Sequence, residues 1–325
     1  MANHLPPLPP FSALGLDPAG PPGNTWGLFG PSDELGMLNL LTPETVVAAA
    51  REIRDGKRIS LDLPLDVPAH PCFGRQRFRH EMVPRGVDRP VNDDVVEFNT
   101  QASTQWDGFR HYGNMKLKCH YMGHDQAALE RTRVIGTDAW LKNGGIQGRG
   151  VLIDWASWAS ARNIPVEPFK SVSIPLSDVK KIISDLSIQI RQGDILILRT
   201  GVSAAYKTLS TADQHAIANR PESDFIGLEP GRDTLEWLWD CKFAAVASDC
   251  PGFERSPVAG KHHDPDHQLH QWLLAAWGMP IGEFFDLEEL SAYCEEKGRW
   301  EFFFSSVPLK VPGGVASPPN AVAIF

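Results

Sequence analysis

Residues 150–201 read GVLIDWASWASARNIPVEPFKSVSIPLSDVKKIISDLSIQIRQGDILILRTG, and this stretch is the best guide to the architecture. Two short apolar runs, at 150–155 and 194–201, predict strands. Between them, residues 177–187 have the apolar spacing of an amphipathic helix. A strand, a helix and a second strand in this order are typical of an α/β protein.

The same pattern continues on both sides of this stretch. Period and composition predict further strands at 58–65, 95–107, 243–249, 302–311 and 321–325. They predict helices from the Thr42-Pro43 cap onward and at 125–143, 211–218, 232–239 and 264–277. Several strands are hairpin-like, so we expect a mixed central sheet. Residues 66–92 suit a long surface loop. With no repeat or linker, we expect a proline-rich arm over 1–24 and one catalytic domain over 25–325.

Composition limits the possible partners. The 325 residues are 42% hydrophobic, and 31 Lys and Arg against 40 Asp and Glu give a net charge of −9. This balance argues against nucleic acid and against an anionic membrane surface. The five cysteines form no CxxC pair, which is typical of reduced intracellular thiols. With no secretory signal and no apolar run of about 20 residues, we expect a cytoplasmic protein.

The segment NTQASTQWDGFRH at 99–111 carries the first half of a candidate site. As a strand it would place four polar side chains, Gln101, Ser103, Gln105 and Asp107, on one face. Buried polar groups need partners or an ion, because an unpaired one costs about 1–3 kcal/mol. His111 can fold back beside Asp107. The alternative is a polar strand that faces solvent and ends in an Asp-Gly turn.

The second half lies in HHDPDHQLHQWLLAAWGMPIGEFF at 262–285. Asp264 and Pro265 predict a helix start, and His270 shares its face with apolar residues at helical spacing. Glu283 lies between Ile281 and two phenylalanines, where an unpaired carboxylate would be costly. A core histidine is the alternative for His270. Together Asp107, His111, His270 and Glu283 offer a ligand set that suits Zn²⁺ or Mn²⁺.

Other polar residues of the sequence could either bind a metal or have a structural role. The pairs His262-His263 and His120/His124 fit helix capping better than metal binding, and Asp266 belongs with the first pair. Asp249 follows an apolar strand and is a candidate for support of the site residues.

Several segments together resemble the cyclase superfamily, which includes bacterial kynurenine formamidase, isatin hydrolase and certain polyketide ring cyclases. They are DELGMLNLLTPE (33–44), the segment ending in Asp107 and His111, RGVLIDWA (149–156), GDILILRTG (193–201), the His270 to Glu283 segment and VPLKVPGGVASPPNAVAIF (307–325). The resemblance implies an α/β fold of the swivelling β/β/α kind, assembled as a homodimer or larger oligomer.

The resemblance also implies a metal signature, His-x-x-x-His-x-Asp-x-x-x-His. On this chain its positions fall on Gln101, Gln105, Asp107 and His111, so both leading histidines are replaced by glutamine. A neutral amide oxygen is a far poorer ligand for Zn²⁺ than imidazole. The second ligand set of the family corresponds to Asp107, His111, His270 and Glu283. We therefore predict one divalent metal at most, Zn or Mn, with a metal-free site as the alternative.

The leading functional hypothesis is a hydrolase in which metal-bound water attacks an amide, a lactone or a similar carbonyl of a small molecule. Glu283 or His270 would move the proton, while Gln105 and Arg110 orient the substrate. A ring-forming or dehydrating enzyme of polyketide-type metabolism, with Asp107 and His111 in an acid–base pocket, is the first alternative. A small-molecule binder without catalysis is the second.

Overall fold

A computed structural model describes residues 5–258 and 264–325. Thirteen strands occur in this part of the chain: β1 Arg58–Ser60, β2 Arg79–Pro84, β3 Asn92–Glu97, β4 Gln105–Asp107, β5 Ile146–Asp154, β6 Ser173–Ile174, β7 Ile195–Arg199, β8 Gly227–Leu228, β9 Ala245–Ser248, β10 Ile281–Glu283, β11 Glu301–Ser306, β12 Ala316–Ser317 and β13 Ala321–Ile324. Nine of them form one sheet in the order β1-β13-β11-β5-β7-β9-β10-β4-β12. β5, β7, β9 and β10 pair in parallel, and the outer strands pair antiparallel. The predicted α/β domain with a mixed central sheet is confirmed.

The parallel centre follows from the apolar runs of the sequence. Residues 151–153, 195–198 and 244–247 are all buried, as expected for strands covered on both faces. The described helices are α1 Pro43–Ala49, α2 Gln126–Arg131, α3 Asp138–Leu141, α4 Trp155–Ser160, α5 Leu176–Asp185, α6 Val202–Thr208, α7 Thr211–Ala218, α8 Arg232–Asp240, a π-helix at Gln271–Trp277 and α9 Glu288–Lys297. α4 and α5 connect β5 to β7, and α6 to α8 connect β7 to β9. The helices predicted at 177–187, 211–218 and 232–239 are confirmed.

Several predicted elements are wrong in extent. The strands expected over 58–65 and 302–311 end at Ser60 and Ser306. The strand expected over 95–107 is divided into β3 and β4, and residues 98–104 between them have no strand pairing. The helix expected over 125–143 is two short helices. The loop expected over 66–92 contains β2, which pairs with β3 in an exposed hairpin. Cross-strand pairs such as His80 with Asp94 stabilise this hairpin on the surface of the protein. Its strands therefore lack the alternation of apolar and polar residues by which a strand is predicted from sequence.

The helix predicted over 264–277 begins later than expected. Asp264 does accept backbone and side-chain hydrogen bonds, but from Asp266 N and His267 Nδ1 in a turn. Helical structure begins at Leu269 and continues as the π-helix to Trp277. Gly278 ends it with φ +62°, the left-handed conformation common after helices. Single π-turns are frequent at functional sites, and this one directly follows His270.

Several residues between 11 and 36 pack onto this helix. Phe11 stacks on Trp272 with ring centroids 5.8 Å apart, and the Trp277 indole donates to the Gly23 carbonyl. Gly36 and Gly278 meet backbone to backbone, since a Cβ on Gly36 would lie 2.0 Å from the Gly278 oxygen. Within the described residues, every helix falls short of the length and apolarity required to cross a bilayer.

Candidate active site

Strand register brings the polar residues of β4 and β10 together. Gln105 is paired with Glu283, and Asp107 with Ile281. Residues that oppose each other, and residues two apart on one strand, share a face of the sheet. Asp107, Gln105 and Glu283 therefore lie on one face. The turn and helix that follow residue 264 cover that face and bring His270 to it.

Asp107, His270 and Glu283 form a tight buried group. One ligand atom of each lies within 4.8 Å of the others, and this is the group of possible metal ligands found in the described part of the chain. His270 Nε2 is 3.3 Å from Glu283 Oε1 and 3.8 Å from Asp107 Oδ2. The Asp107 side chain is fully buried, and both of its oxygens lack a hydrogen-bond donor.

The electrostatics of this group favour a cation. Burial raises the pKa of Asp107 well above its usual value, and the Glu283 carboxylate raises it further. Burial alone would lower the pKa of His270, but its hydrogen bonds to Glu254 and Glu283 raise it well above the ordinary value. Without an ion, burial therefore holds Asp107 toward its neutral form, and the two glutamates hold His270 toward its charged form. A divalent ion between these groups would replace both protons as the source of positive charge.

His111 lies beside this group and outside it. Its Nε2 is 3.8 Å from Asp107 Oδ2, and its ring centroid is 6.5 Å from that of His270. Burial, aided by the charges of His270 and Arg75, lowers the pKa of His111 to about 3. The imidazole is therefore neutral at neutral pH. The structure thus assembles three of the four predicted ligands closely, with the fourth next to Asp107.

The remaining predicted residues have other contacts. Gln105 donates from Nε2 to Glu283 Oε2 at 2.7 Å, and its own carbonyl oxygen has no donor. The Arg110 guanidinium donates to three backbone carbonyls, those of Leu129, Thr132 and Val134, which directs it to the 129–134 segment. The predicted substrate-orienting role of Arg110 thus has no contact that supports it.

The alternation predicted along 101–107 is wrong at its first half. Gln101 and Ser103 lie in turns, where the Ser103 hydroxyl donates to the carbonyls of Pro64 and Val67. The side-chain amide nitrogen of Gln101 is buried without a partner. The backbone carbonyl of Gln101 accepts a hydrogen bond from the Arg75 guanidinium. Only Gln105 and Asp107 belong to a strand, because the short β10 opposite them offers just three residues for pairing.

The other polar residues considered from the sequence have contacts of their own. Asp249 accepts from Thr200, Gly201 and Ser203 and so caps α6. His120 donates its backbone nitrogen to the His124 carbonyl around a short turn. Asp266 lies in the turn that precedes the π-helix. His262 and His263 lie outside the described residues.

Glu254 belongs to the site and was not predicted. Its carboxylate is 1% exposed and contacts His270, with Glu254 Oε1 2.7 Å from His270 Nδ1. It comes from PGFERSP, an irregular segment without hydrophobic period, so no spacing argument points to it. A single acidic residue between Phe253 and Arg255 does not indicate that its side chain is buried.

A cavity of about 600 Å³ opens onto this group. Its wall includes His111, His270 and Glu283, together with Phe73, Arg75 and Tyr112. The size is that of a small-molecule pocket. The arrangement can hold a small substrate with its reactive atom against Glu283 and His270.

Comparisons with known proteins agree on one family. A family model described as "Putative cyclase" matches residues 57–255. A crystal structure of a novel cyclase is 30% identical, with a TM-score of 0.79, and covers 93% of this chain and 99% of its own. A search of curated proteins gave no match.

Two isatin hydrolase structures share the fold at lower identity. The enzyme from Labrenzia aggregata, bound to benzyl benzoate, is 17% identical with a TM-score of 0.58, over 88% of this chain and 98% of its own. An isatin hydrolase bound to the product analogue thioisatinate is 15% identical with a TM-score of 0.60, over 87% and 99%. The family match over more than half of the residues, together with the 30% identical cyclase, shows that this chain belongs to the cyclase family.

Proposed function

We propose that this protein is a hydrolase of the cyclase family that cleaves an amide, a lactone or a similar carbonyl compound of small size. The observation that carries the proposal is the Asp107 carboxylate. It is fully buried, has no hydrogen-bond donor and faces Glu283 and His270. Two imidazoles lie 3.8 Å from Asp107 Oδ2, beyond hydrogen-bond distance, and burial holds the acid toward its neutral form. A bound cation at this position would stabilise the ionised form.

The donor set fits one divalent ion. Asp107, Glu283 and His270 Nε2 would hold it, with His111 beside Asp107 as the fourth candidate ligand. Carboxylate and imidazole donors suit Zn²⁺ or Mn²⁺. When bound, such an ion polarises a carbonyl oxygen and lowers the pKa of water.

The surrounding residues prepare the site for a carbonyl substrate. Gln105 holds Glu283 Oε2, which leaves Oε1 directed toward His270. Glu283 and His111 both line the cavity, and each can accept a proton from a water molecule near the substrate. The Phe73 and Tyr112 rings at the wall suit a planar or aromatic substrate.

The names of the structural neighbours agree with this substrate class. Isatin, the substrate named for two of them, is a cyclic amide, and its hydrolysis opens a ring at a carbonyl carbon. We therefore propose cyclic amides and lactones as the first compounds to test, followed by arylformamides.

Two measurements on the purified full-length protein test the proposal. Elemental analysis and titration calorimetry with Zn²⁺ and Mn²⁺ are expected to give one ion per chain. Hydrolysis of the amide and lactone panel, followed by product formation, is expected to depend on that ion. An Asp107→Ala/His270→Ala double variant should lose both.

His267→Ala is the matched control. His267 lies three residues before His270 and binds Asp264 outside the buried group, so its removal should leave ion binding intact. Full hydrolysis after exhaustive chelation would contradict the proposed function. Conversion of a poly-carbonyl substrate without consumption of water would instead favour the ring-forming alternative. Tight binding of a compound that is recovered unchanged would favour the binding protein.

A further inference from the structure

We propose that Glu254 is a positioning residue that fixes the ring of His270 so that Nε2 is presented to Asp107 and Glu283. The Glu254 carboxylate is buried and contacts His270 twice. Its Oε1 accepts from the His270 backbone nitrogen at 2.8 Å and lies 2.7 Å from Nδ1 of the same residue. Its Oε2 accepts from the Leu269 nitrogen at 2.9 Å.

The contact at Nδ1 determines which ring nitrogen carries a proton. A carboxylate only accepts hydrogen bonds, so Nδ1 must be the donor. Nε2 is then the nitrogen that faces the acids, 3.3 Å from Glu283 Oε1. An imidazole binds a cation through an unprotonated nitrogen, and the bond made by the other nitrogen selects it. Glu254 thus assigns Nε2 as the ligand atom.

The backbone around Glu254 makes this a fixed contact. Arg255 N donates to the Leu228 carbonyl and Leu228 N to the Phe253 carbonyl, so the residues on both sides of Glu254 are bound to β8. Gly227 packs against it so closely that a Cβ there would lie 2.3 Å from the Glu254 carbonyl carbon. The carboxylate is therefore held on one side by β8 and on the other by the start of the helix.

Cation binding gives the first test, and this part rests on the proposed function. Titration of the full-length protein with Zn²⁺ is compared between wild type, Glu254→Leu and Glu254→Gln. Loss of such a histidine partner typically costs about 10- to 100-fold in metal affinity. We expect this loss in Glu254→Leu, and less than about 10-fold in Glu254→Gln, whose amide oxygen can still accept from Nδ1.

Asp194→Asn is the matched control for a purely structural loss. Asp194 is a buried acid before β7, at the opposite end of the parallel strands, where it binds Arg149 and the Arg191 nitrogen. It should lower the melting temperature without changing the Zn²⁺ affinity. Should Glu254→Leu fail to fold, Glu254→Asp takes its place with the same expectation, because its carboxylate is withdrawn from the ring by one methylene.

Nitrogen NMR of ¹⁵N-histidine-labelled protein without added metal gives a second test that does not need the proposed function. The His270 signals are identified by their absence in a His270→Asn variant. Without metal, both ring nitrogens face a carboxylate, so we expect Nδ1 and Nε2 to be protonated in wild type. Nδ1 should stay protonated in Glu254→Gln and lose its proton in Glu254→Leu, while Nε2 keeps its contact with Glu283.

The two tests separate the possible failures. If wild type binds no cation but Nδ1 still loses its proton in Glu254→Leu, the proposed function fails and the positioning role stands. An unchanged Nδ1 signal in folded Glu254→Leu, or Zn²⁺ affinity equal to that of wild type, overturns the positioning role.

Discussion

At the scale of single residues, the site is built from groups that are costly to bury. Asp107 has no hydrogen-bond donor, the Gln105 oxygen has none, and the Gln101 amide nitrogen is also unpaired. Each unpaired buried group costs about 1–3 kcal/mol. Proteins tolerate such costs mainly where activity requires them. The cost at Asp107 should therefore be measurable.

We predict that Asp107→Asn stabilises the protein when no metal is present. The substitution removes an acid whose burial destabilises the folded state at neutral pH, as the raised pKa of Asp107 indicates. The free energy of unfolding should therefore rise by about 1–3 kcal/mol. The same variant should lose Zn²⁺ or Mn²⁺ binding, since an amide is a poor ligand. Urea denaturation in chelator and calorimetric titration check the two effects. A variant less stable than wild type in chelator would show that Asp107 has a stabilising partner.

A partly buried acid outside the candidate site, Asp62, predicts a pH dependence of stability. Burial raises the pKa of Asp62 to about 6, against hydrogen bonds from Ala321 and Asn320 that lower it. The folded state then binds more protons than the unfolded state between pH 3.8, the ordinary pKa of an aspartate, and about pH 6. Stability should fall as pH rises through this window, by up to about 3 kcal/mol.

Asp62→Asn tests this dependence. The amide oxygen can still accept from the Ala321 nitrogen, which Asp62 Oδ2 binds at 2.6 Å. The variant should lose the decrease between pH 4 and 6 and be more stable than wild type at pH 7. Denaturant unfolding at half-unit pH steps measures both curves. Parallel curves for the two proteins would refute the assignment to Asp62.

Most residues of the candidate site could be predicted from the sequence, because they are polar residues at positions with apolar neighbours. Glu283 lies between apolar neighbours, and His270 lies on an apolar helical face, so burial could be inferred for both. Glu254 could not be found in this way, since its segment has no period and its role depends on a contact across 16 residues. The Arg110 contacts likewise depend on where the 129–134 segment lies, which no local pattern reveals.

At the scale of elements, the predictions succeed for regular segments and fail at irregular ones. The parallel strands and α5, α7 and α8 carry strong periods. In the sequence, residues 98–104 resemble a strand, because a series of turns with alternating polar and apolar residues has the same pattern as a half-buried strand. A period of 3.6 also cannot distinguish an α-helix from the π-turn after His270, which differs by one extra residue.

The end of that π-helix gives an element-scale prediction. Gly278 has φ +62°, and an added Cβ would lie 2.8 Å from both Gly36 Cα and the Tyr121 ring. Gly278→Ala should therefore combine backbone strain with overpacking and cost about 2–5 kcal/mol. Chemical denaturation is the measurement.

Gly298→Ala is the control for strain alone. Gly298 ends α9 with φ +58°, and a Cβ there meets nothing within 4 Å. Its replacement should cost about 1 kcal/mol. Equal losses for the two variants would mean that the contact between Gly36 and Gly278 does not limit packing.

At the scale of the whole molecule, the cavity lies where the parallel strands of the sheet end. Glu283 ends β10, and Asp249 follows β9 at the same edge. Ligands of open α/β sheets commonly bind beyond the carboxyl ends of the strands.

Bound metal should stabilise the whole protein. A ligand at 100 times its dissociation constant adds about 2.7 kcal/mol to the free energy of unfolding, which for a chain of this length corresponds to about 4 °C in melting temperature. We expect this shift on adding Zn²⁺ or Mn²⁺ to chelator-treated protein, and none in Asp107→Asn. Calorimetric melting measures it. Equal shifts in both proteins would place the ion elsewhere.

The short pairing of β4 with β10 has a consequence for folding. Asp107 and Glu283 share one buried group only because two three-residue strands align in one register. A slip by one residue would turn either acid to the opposite face of the sheet. A chain whose sheet is complete except at this edge has no place for the ion. Uptake of metal during refolding would then mark the moment when the last strands join, later than signals from the parallel centre.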